Sequence, residues 1–260
     1  MKGEKGEKGE KGAMVEYLLR LGDDRLVLGH RLSEWCGHGP ILEEDIALAN
    51  IALDLVGQAT LFLGLAGSVE NTGRDADDLA YLRDATAFRN HPLVELPNGD
   101  YAFTMVRLFL ASSYAYVWVE GLRGSAHADL AGIAAKAFKE ATYHVRHSAE
   151  WVVRFGDGTE ESHARAQRAL NEAWRWTGTL FLQDTVDQEL QAAGLAPDPT
   201  ALEPGWRSLI DEVLNRATLE LPAEAPSTGL GYRRGDHTEH LGHLLSEMQI
   251  LARSHPGAEW

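Results

Sequence analysis

The sequence predicts an all-α helical bundle. Three observations carry that reading: long stretches with apolar residues three and four apart, cap and turn signals between them, and no period-two segment beside a hairpin turn. At 260 residues the chain is long enough for a sizeable core, and no internal repeat is visible.

Residues 1–13, MKGEKGEKGEKGA, repeat Lys-Gly-Glu without apolar content and can bury nothing. They are expected to be a disordered tail ahead of a second start at Met14, which leaves 14–260 as one domain. The first helix is expected over 15–35, with Leu18, Leu21, Leu28 and Leu32 at helical spacing, weakened near its middle by Gly22-Asp23-Asp24. The short turn Gly37-His38-Gly39-Pro40 makes the next helix an antiparallel neighbour.

That second helix, 41–65, is the stretch the bundle is expected to form around. From Ile46 onward it is apolar on nearly every side, as a central buried helix would be, yet Asn50, Asp54 and Gln58 stack along one side. Buried polar groups cost roughly 1–3 kcal/mol each unless they find partners. The stripe therefore marks a polar site or the remains of one. A membrane span is excluded, because an Asp at mid-helix costs about 3 kcal/mol on insertion. The flanking Glu43, Glu44 and Asp45 also supply no basic anchor.

A polar connector at 67–78 and a short segment at 79–88 follow, and Pro97-Asn98-Gly99-Asp100 is a turn signal. It introduces a third long helix at 101–122, and a break at Gly124-Ser125 leads into a fourth at 128–155. Thr159 reads as the N-cap of a fifth helix, which carries Trp174, Trp176 and Phe181 and extends toward Leu190. Pro197, Pro199 and Pro204 predict a loop; helices at 206–219 and 237–254 then flank a Pro/Gly-rich loop at 222–236.

Lys plus Arg is 24 against 39 Asp plus Glu, a net charge of -15, which opposes sequence-independent binding to nucleic acid. The single cysteine, Cys36, allows no intrachain disulfide; it is expected to be a buried structural thiol in a cytoplasmic protein. Arg233-Arg234 is expected to be a solvated loop pair, with a phosphate site as the alternative.

The chemistry that fits a polar stripe among long helices is a carboxylate-bridged metal pair, which needs two Glu-x-x-His pairs and two further carboxylates. Glu-x-x-His occurs once, at Glu160–His163, in a capped first turn that explains its acidity without metal. Glu140, His144 and His147, and the group His237, Glu239, His240 and His243, are further candidate ligands outside that pattern. No Gly-x-Ser-x-Gly elbow, Walker loop or dinucleotide fingerprint is present.

Several segments in order, Leu32-Ser33-Glu34-Trp35-Cys36-Gly37, LANIALDLVGQA (48–59), LPNGD (96–100) and HTEHLGHLLSEMQIL with HPGAEW at the end, resemble the C-subunit family of bacterial phenylacetyl-CoA epoxidases. These are also called phenylacetate-CoA oxygenases or ring-1,2-epoxidases. The resemblance runs from Met14 to Trp260 and implies a ferritin-like bundle with additional C-terminal helices. It implies a non-catalytic structural subunit of a multicomponent monooxygenase in phenylacetate degradation. The partners would be a di-iron catalytic A subunit and a reductase with flavin and an iron–sulfur centre, fed by NADPH. Phenylacetyl-CoA would lie near the subunit interface, and self-association of the chain alone stays open.

The catalytic subunit's metal motifs can be followed residue by residue. Its Asp-Glu-x-Gly-His is matched here by Asp54-Leu55-Val56-Gly57-Gln58, so Leu55 and Gln58 stand for a glutamate and a histidine ligand. Its Lys-Glu-Glu-x-x-His is matched by Lys139-Glu140-Ala141-Thr142-Tyr143-His144, so Ala141 stands for a glutamate while His144 remains. The resemblance thus implies a degenerate site that binds no metal, converted into a polar network with Asp54, Gln58, Glu140 and His144 as members. The alternatives are a di-iron or dimanganese oxygenase with unusual ligands, Glu140, His144, His240 and Glu247 among them, or an acidic helical binding protein outside any oxygenase.

Overall fold

The structure is a computed structural model that describes residues 2–228 and 233–258, with side chains from residue 9 onward. Among the described residues it contains ten α-helices and a 3-10 turn at Ala85–Ala87, with no strand. The chain divides into two compact units, Met1–Pro97 with Leu230–Trp260, and Asn98–Gly229.

In the first unit α1 (Lys2–Ser33) and α2 (Leu42–Glu70) form an antiparallel pair. Gly22 and Gly29, seven residues apart on α1, let the helices approach closely. A Cβ at Gly22 would lie 2.7 Å from Leu63 Cδ2, and one at Gly29 would lie 3.3 Å from the Ala52 carbonyl oxygen. Gly22, read from sequence as a weak point of the helix, is thus a packing residue. α1 starts at Lys2, so the backbone of the Lys-Gly-Glu repeat is helical where a disordered tail is expected. Gly9 to Gly12 are exposed and bury nothing.

The polar connector contains α3 (Ala76–Tyr81), opened by a reciprocal cap between Asp75 and Asp78, and α4 (Pro92–Glu95) follows with proline at its start. The last helix, α10 (Glu239–Ser254), returns to this unit: its Gln249 amide donates to the Ala80 and Arg83 carbonyls at 3.0 Å each.

α2 differs from its expected central place. Leu48, Ile51, Leu55 and Phe62 are buried, but Leu42, Ile46 and Leu53 are 72, 52 and 69% exposed, and Asn50 is exposed with them. The helix buries one face only. The extensively buried helix is in the second unit, α5 (Tyr101–Leu122), with Phe109, Trp118 and Arg107 inside.

α5 pairs antiparallel with α6 (Ala128–Gly156): Tyr101 meets Trp151 edge-on at 5.2 Å, and Tyr116 stacks on Phe138 at 5.1 Å. α7 (Glu160–Trp174) has the predicted Thr159 cap, but it stops at Trp174 and α8 (Thr185–Ala192) is separate. The stop lets Phe181 turn inward, 5.4 Å from Tyr114 and 5.5 Å from Trp206, which itself stacks on Trp174 at 5.6 Å. α9 (Pro199–Arg216) begins inside the segment expected to be a proline loop. Pro199 sits in its first turn, where the missing N–H costs nothing, and only Pro204 lies inside the helix.

Candidate functional site

The positions that the resemblance assigns to metal ligands fall two in each unit. On α2, Leu55 is 4% and Gln58 3% exposed, with Asp54 half-buried beside them. Gln58 sits opposite Arg25 of α1, whose Nε–H donates to Gln58 Oε1 at 2.8 Å. The same guanidinium donates to the Leu21 carbonyl at 2.8 Å and lies 4.7 Å from the centre of the Phe62 ring. A charged, ring-stacked donor against the amide fixes that position as a hydrogen-bond acceptor facing a cation.

On α6 of the second unit, Ala141 is 3% and His144 2% exposed, and Glu140 is half-buried. The His144 carbonyl accepts from Ser148 Oγ at 2.7 Å, and its ring meets Tyr143 edge-on. The alternative ligands His240 and Glu247 lie on α10 in the first unit, half-buried and exposed respectively. His163 is taken up locally: its Nδ1 reaches the Gly156 carbonyl at 2.7 Å, as expected of a residue in a capped first turn.

Two expectations about single residues are overturned. Cys36 is exposed, because α1 ends at Ser33 and the thiol lies in the turn beyond it. Arg233 is 5% exposed and its Nη2–H donates to His91 Nε2 at 3.2 Å, so only Arg234 of that pair is solvated. The backbone at Arg233 is left-handed (φ 54), which turns the side chain into the unit.

Sequence reading missed the main polar centre of the first unit. Asp23, fully buried, receives two N–H groups of Arg83, and the Arg89 backbone N–H at 2.8 Å. Asp24 accepts the His91 backbone N–H at 2.7 Å. Burial pushes its carboxyl up to about 6, against the pull of Arg233, that N–H and Arg25. Burial, helped by Arg233 and Arg20, holds the His91 imidazole well below its ordinary range. A neutral ring leaves Nε2 free to accept from Arg233.

Glu95, also fully buried, accepts from Thr238 Oγ1 at 3.1 Å and faces His237 Nδ1 at 3.3 Å, while His237 Nε2 faces the Phe88 carbonyl at 3.1 Å. Burial raises the Glu95 carboxyl; His237 and Thr238 oppose the rise. Arg31 closes the group, donating to the Glu95 carbonyl at 2.9 Å and the His240 carbonyl at 3.0 Å. The available signal was the run Gly22-Asp23-Asp24-Arg25 inside an otherwise apolar helix, which reads equally as an exposed break. Together these groups tie α1, the 83–95 segment and the returning chain at 233–240 into one hydrogen-bonded set.

Comparison with known proteins agrees with the resemblance. The family described as phenylacetic acid catabolic protein matches residues 2–260. The chain is 46% identical over 247 residues to the C subunit of 1,2-phenylacetyl-CoA epoxidase from Escherichia coli (strain K12), covering 95% of this chain and 99% of that relative. The all-α architecture is compatible with the ferritin-like fold that the resemblance implies. This chain belongs to the phenylacetic acid catabolic protein family.

Proposed function

We propose that this family member is the non-catalytic structural subunit of a phenylacetyl-CoA 1,2-epoxidase, working in the cytoplasm in aerobic phenylacetate breakdown. It binds and supports the di-iron catalytic partner of that assembly and has no catalytic residue of its own. Its relative's name, a C subunit, supports a place in such an assembly.

The observation that carries the non-catalytic role is the Arg25–Gln58 pair. Where the resemblance places a histidine ligand, an amide oxygen already accepts from a guanidinium at 2.8 Å, and that fixed positive charge opposes a metal dication. The rest of the donor set also fails to fit an iron pair. The positions of two glutamate ligands hold the buried hydrocarbon side chains of Leu55 and Ala141, which cannot coordinate. Iron therefore belongs to the catalytic partner, and flavin, iron–sulfur centre and NADPH to the reductase. Asp54, Gln58, Glu140 and His144 serve stability and register instead, with phenylacetyl-CoA near the interface.

Elemental analysis of the chain purified alone from iron-supplemented cells tests the reading. Expected is less than about a tenth of an iron per chain, and co-purification with the catalytic partner when the two are expressed together. Asp54→Ala or His144→Ala lowers melting temperature or partner affinity and leaves iron content unchanged. About two irons per chain, lost in His144→Ala, would make this protein a catalyst and end the proposal.

A further inference from the structure

Helix α6 gathers positive charge on one side of an acidic chain. After residue 13 the sequence has only two lysines, Lys136 and Lys139, and both stand exposed on α6. Arg146 follows two turns later on the same side and Arg154 two turns after that, both exposed. Residues 136, 139, 143, 146, 150 and 154 recur at intervals of three and four and so share one face. The one carboxylate among these positions, Glu150, is bound by Arg216 at 2.8 Å. Among the described residues, none of the four cations has a carboxylate within salt-bridge distance.

Aromatic rings hold part of the row in place without neutralising it. The Arg146 guanidinium lies 5.6 Å from the centre of the Tyr143 ring, which stacks on His147 at 5.8 Å. Arg154 lies 5.1 Å from the Trp151 ring. A guanidinium already resting on a ring loses less freedom when it meets an anion.

The row spans about 27 Å at the rise of an α-helix. That length suits a series of carboxylates along a protein surface better than a single phosphate group. With a net charge of -15, most of this chain repels an acidic partner, so a local basic row selects the face presented on encounter.

We infer that this face of α6 docks a row of Asp and Glu side chains on a partner protein of the epoxidase assembly. The inference rests on the structural-subunit reading above.

The two lysines make it testable by amine acetylation and peptide mass spectrometry on the full chain, free and in the complete assembly. Expected is a fall of about fivefold or more in acetylation of Lys136 and Lys139 on assembly. A triple variant, Lys136→Glu, Lys139→Glu and Arg146→Glu, melts like the parent and binds the other subunits about tenfold or more weakly at low salt, the difference shrinking at high salt. An assembly with unchanged lysine reactivity and unchanged affinity overturns this inference alone. Failure of the parent chain to assemble overturns both it and the structural-subunit reading. Protection of the lysines in the free chain by inorganic pyrophosphate, with assembly indifferent to charge reversal, overturns it in favour of a phosphate site. Concentration-dependent protection in the free chain does so in favour of a second copy.

Discussion

Asp24 and His91 are titratable groups whose environments pull in opposite directions. In the folded chain Asp24 takes up its proton near pH 6, and in the unfolded chain near its ordinary 3.8. Between those values the folded state binds the extra proton, so this group's contribution to stability falls as pH rises from about 4 to about 6. His91 has the opposite sign: kept neutral when folded, it costs stability as pH falls below its ordinary 6.5. Asp24→Asn keeps an acceptor for the His91 N–H but removes the first slope only. From pH 7 to pH 4, wild type is therefore expected to gain about 2–3 kcal/mol on the variant in chemical denaturation. Parallel pH profiles would rule this out. Asp23 and Arg83 form a buried pair with further hydrogen bonds, and Arg83→Ala strands the carboxylate. The expected loss is about 3–5 kcal/mol, read as a lower melting temperature.

At the scale of helices, sequence and structure agree best where an element packs on many sides. α5 starts and stops where its flanking turn and apolar run predict, since the Asp100 side chain caps the Phe103 N–H at 2.9 Å and little of its surface meets water. α2 shows the limit of hydropathy alone. Its composition matches a central helix, and an 18-residue window is apolar enough to cross a membrane, but only 44% of that window is buried, against 89% in α5. Ile51→Ala on the buried face is expected to cost about 2–5 kcal/mol, while Leu53→Ala on the exposed face stays within about 0.5 kcal/mol. Equal losses at both positions would show that α2 is enclosed all round. Thr159→Ala removes a side chain that accepts the Ser162 N–H and is expected to cost about 1 kcal/mol.

At the scale of the molecule, the two units rely on different cores. The first combines an apolar α1–α2 interface with buried ion pairs and reaches across sequence to recover α10; the second packs aromatic rings of α5, α7 and α9. Removing residues 233–258 takes away Arg233, His237, Thr238 and Gln249, the partners of His91, Glu95 and the α3 end. Such a truncation is expected to unfold the first unit, seen as loss of cooperative melting in that part of the chain by hydrogen exchange. Retained protection of α1 and α2 amides would show that the returning segment is dispensable.

The sequence by itself determined the helical class, the antiparallel hairpin of the first two long helices, the turn at 97–100 ahead of the third, the cap at Thr159, and the family. Each follows from local spacing, a short turn or a run of matching residues. It also placed hydrocarbon at Leu55 and Ala141, because a residue type is read without any folding. Only the tertiary structure decided which face of α2 is covered, that Cys36 is exposed, and that Asp23, Asp24, Glu95 and Arg233 are buried. Burial of a charge depends on partners about sixty or more residues away, as Asp23 with Arg83 and Glu95 with His237 show. A local sequence pattern cannot encode the meeting of such distant groups; packing brings them together.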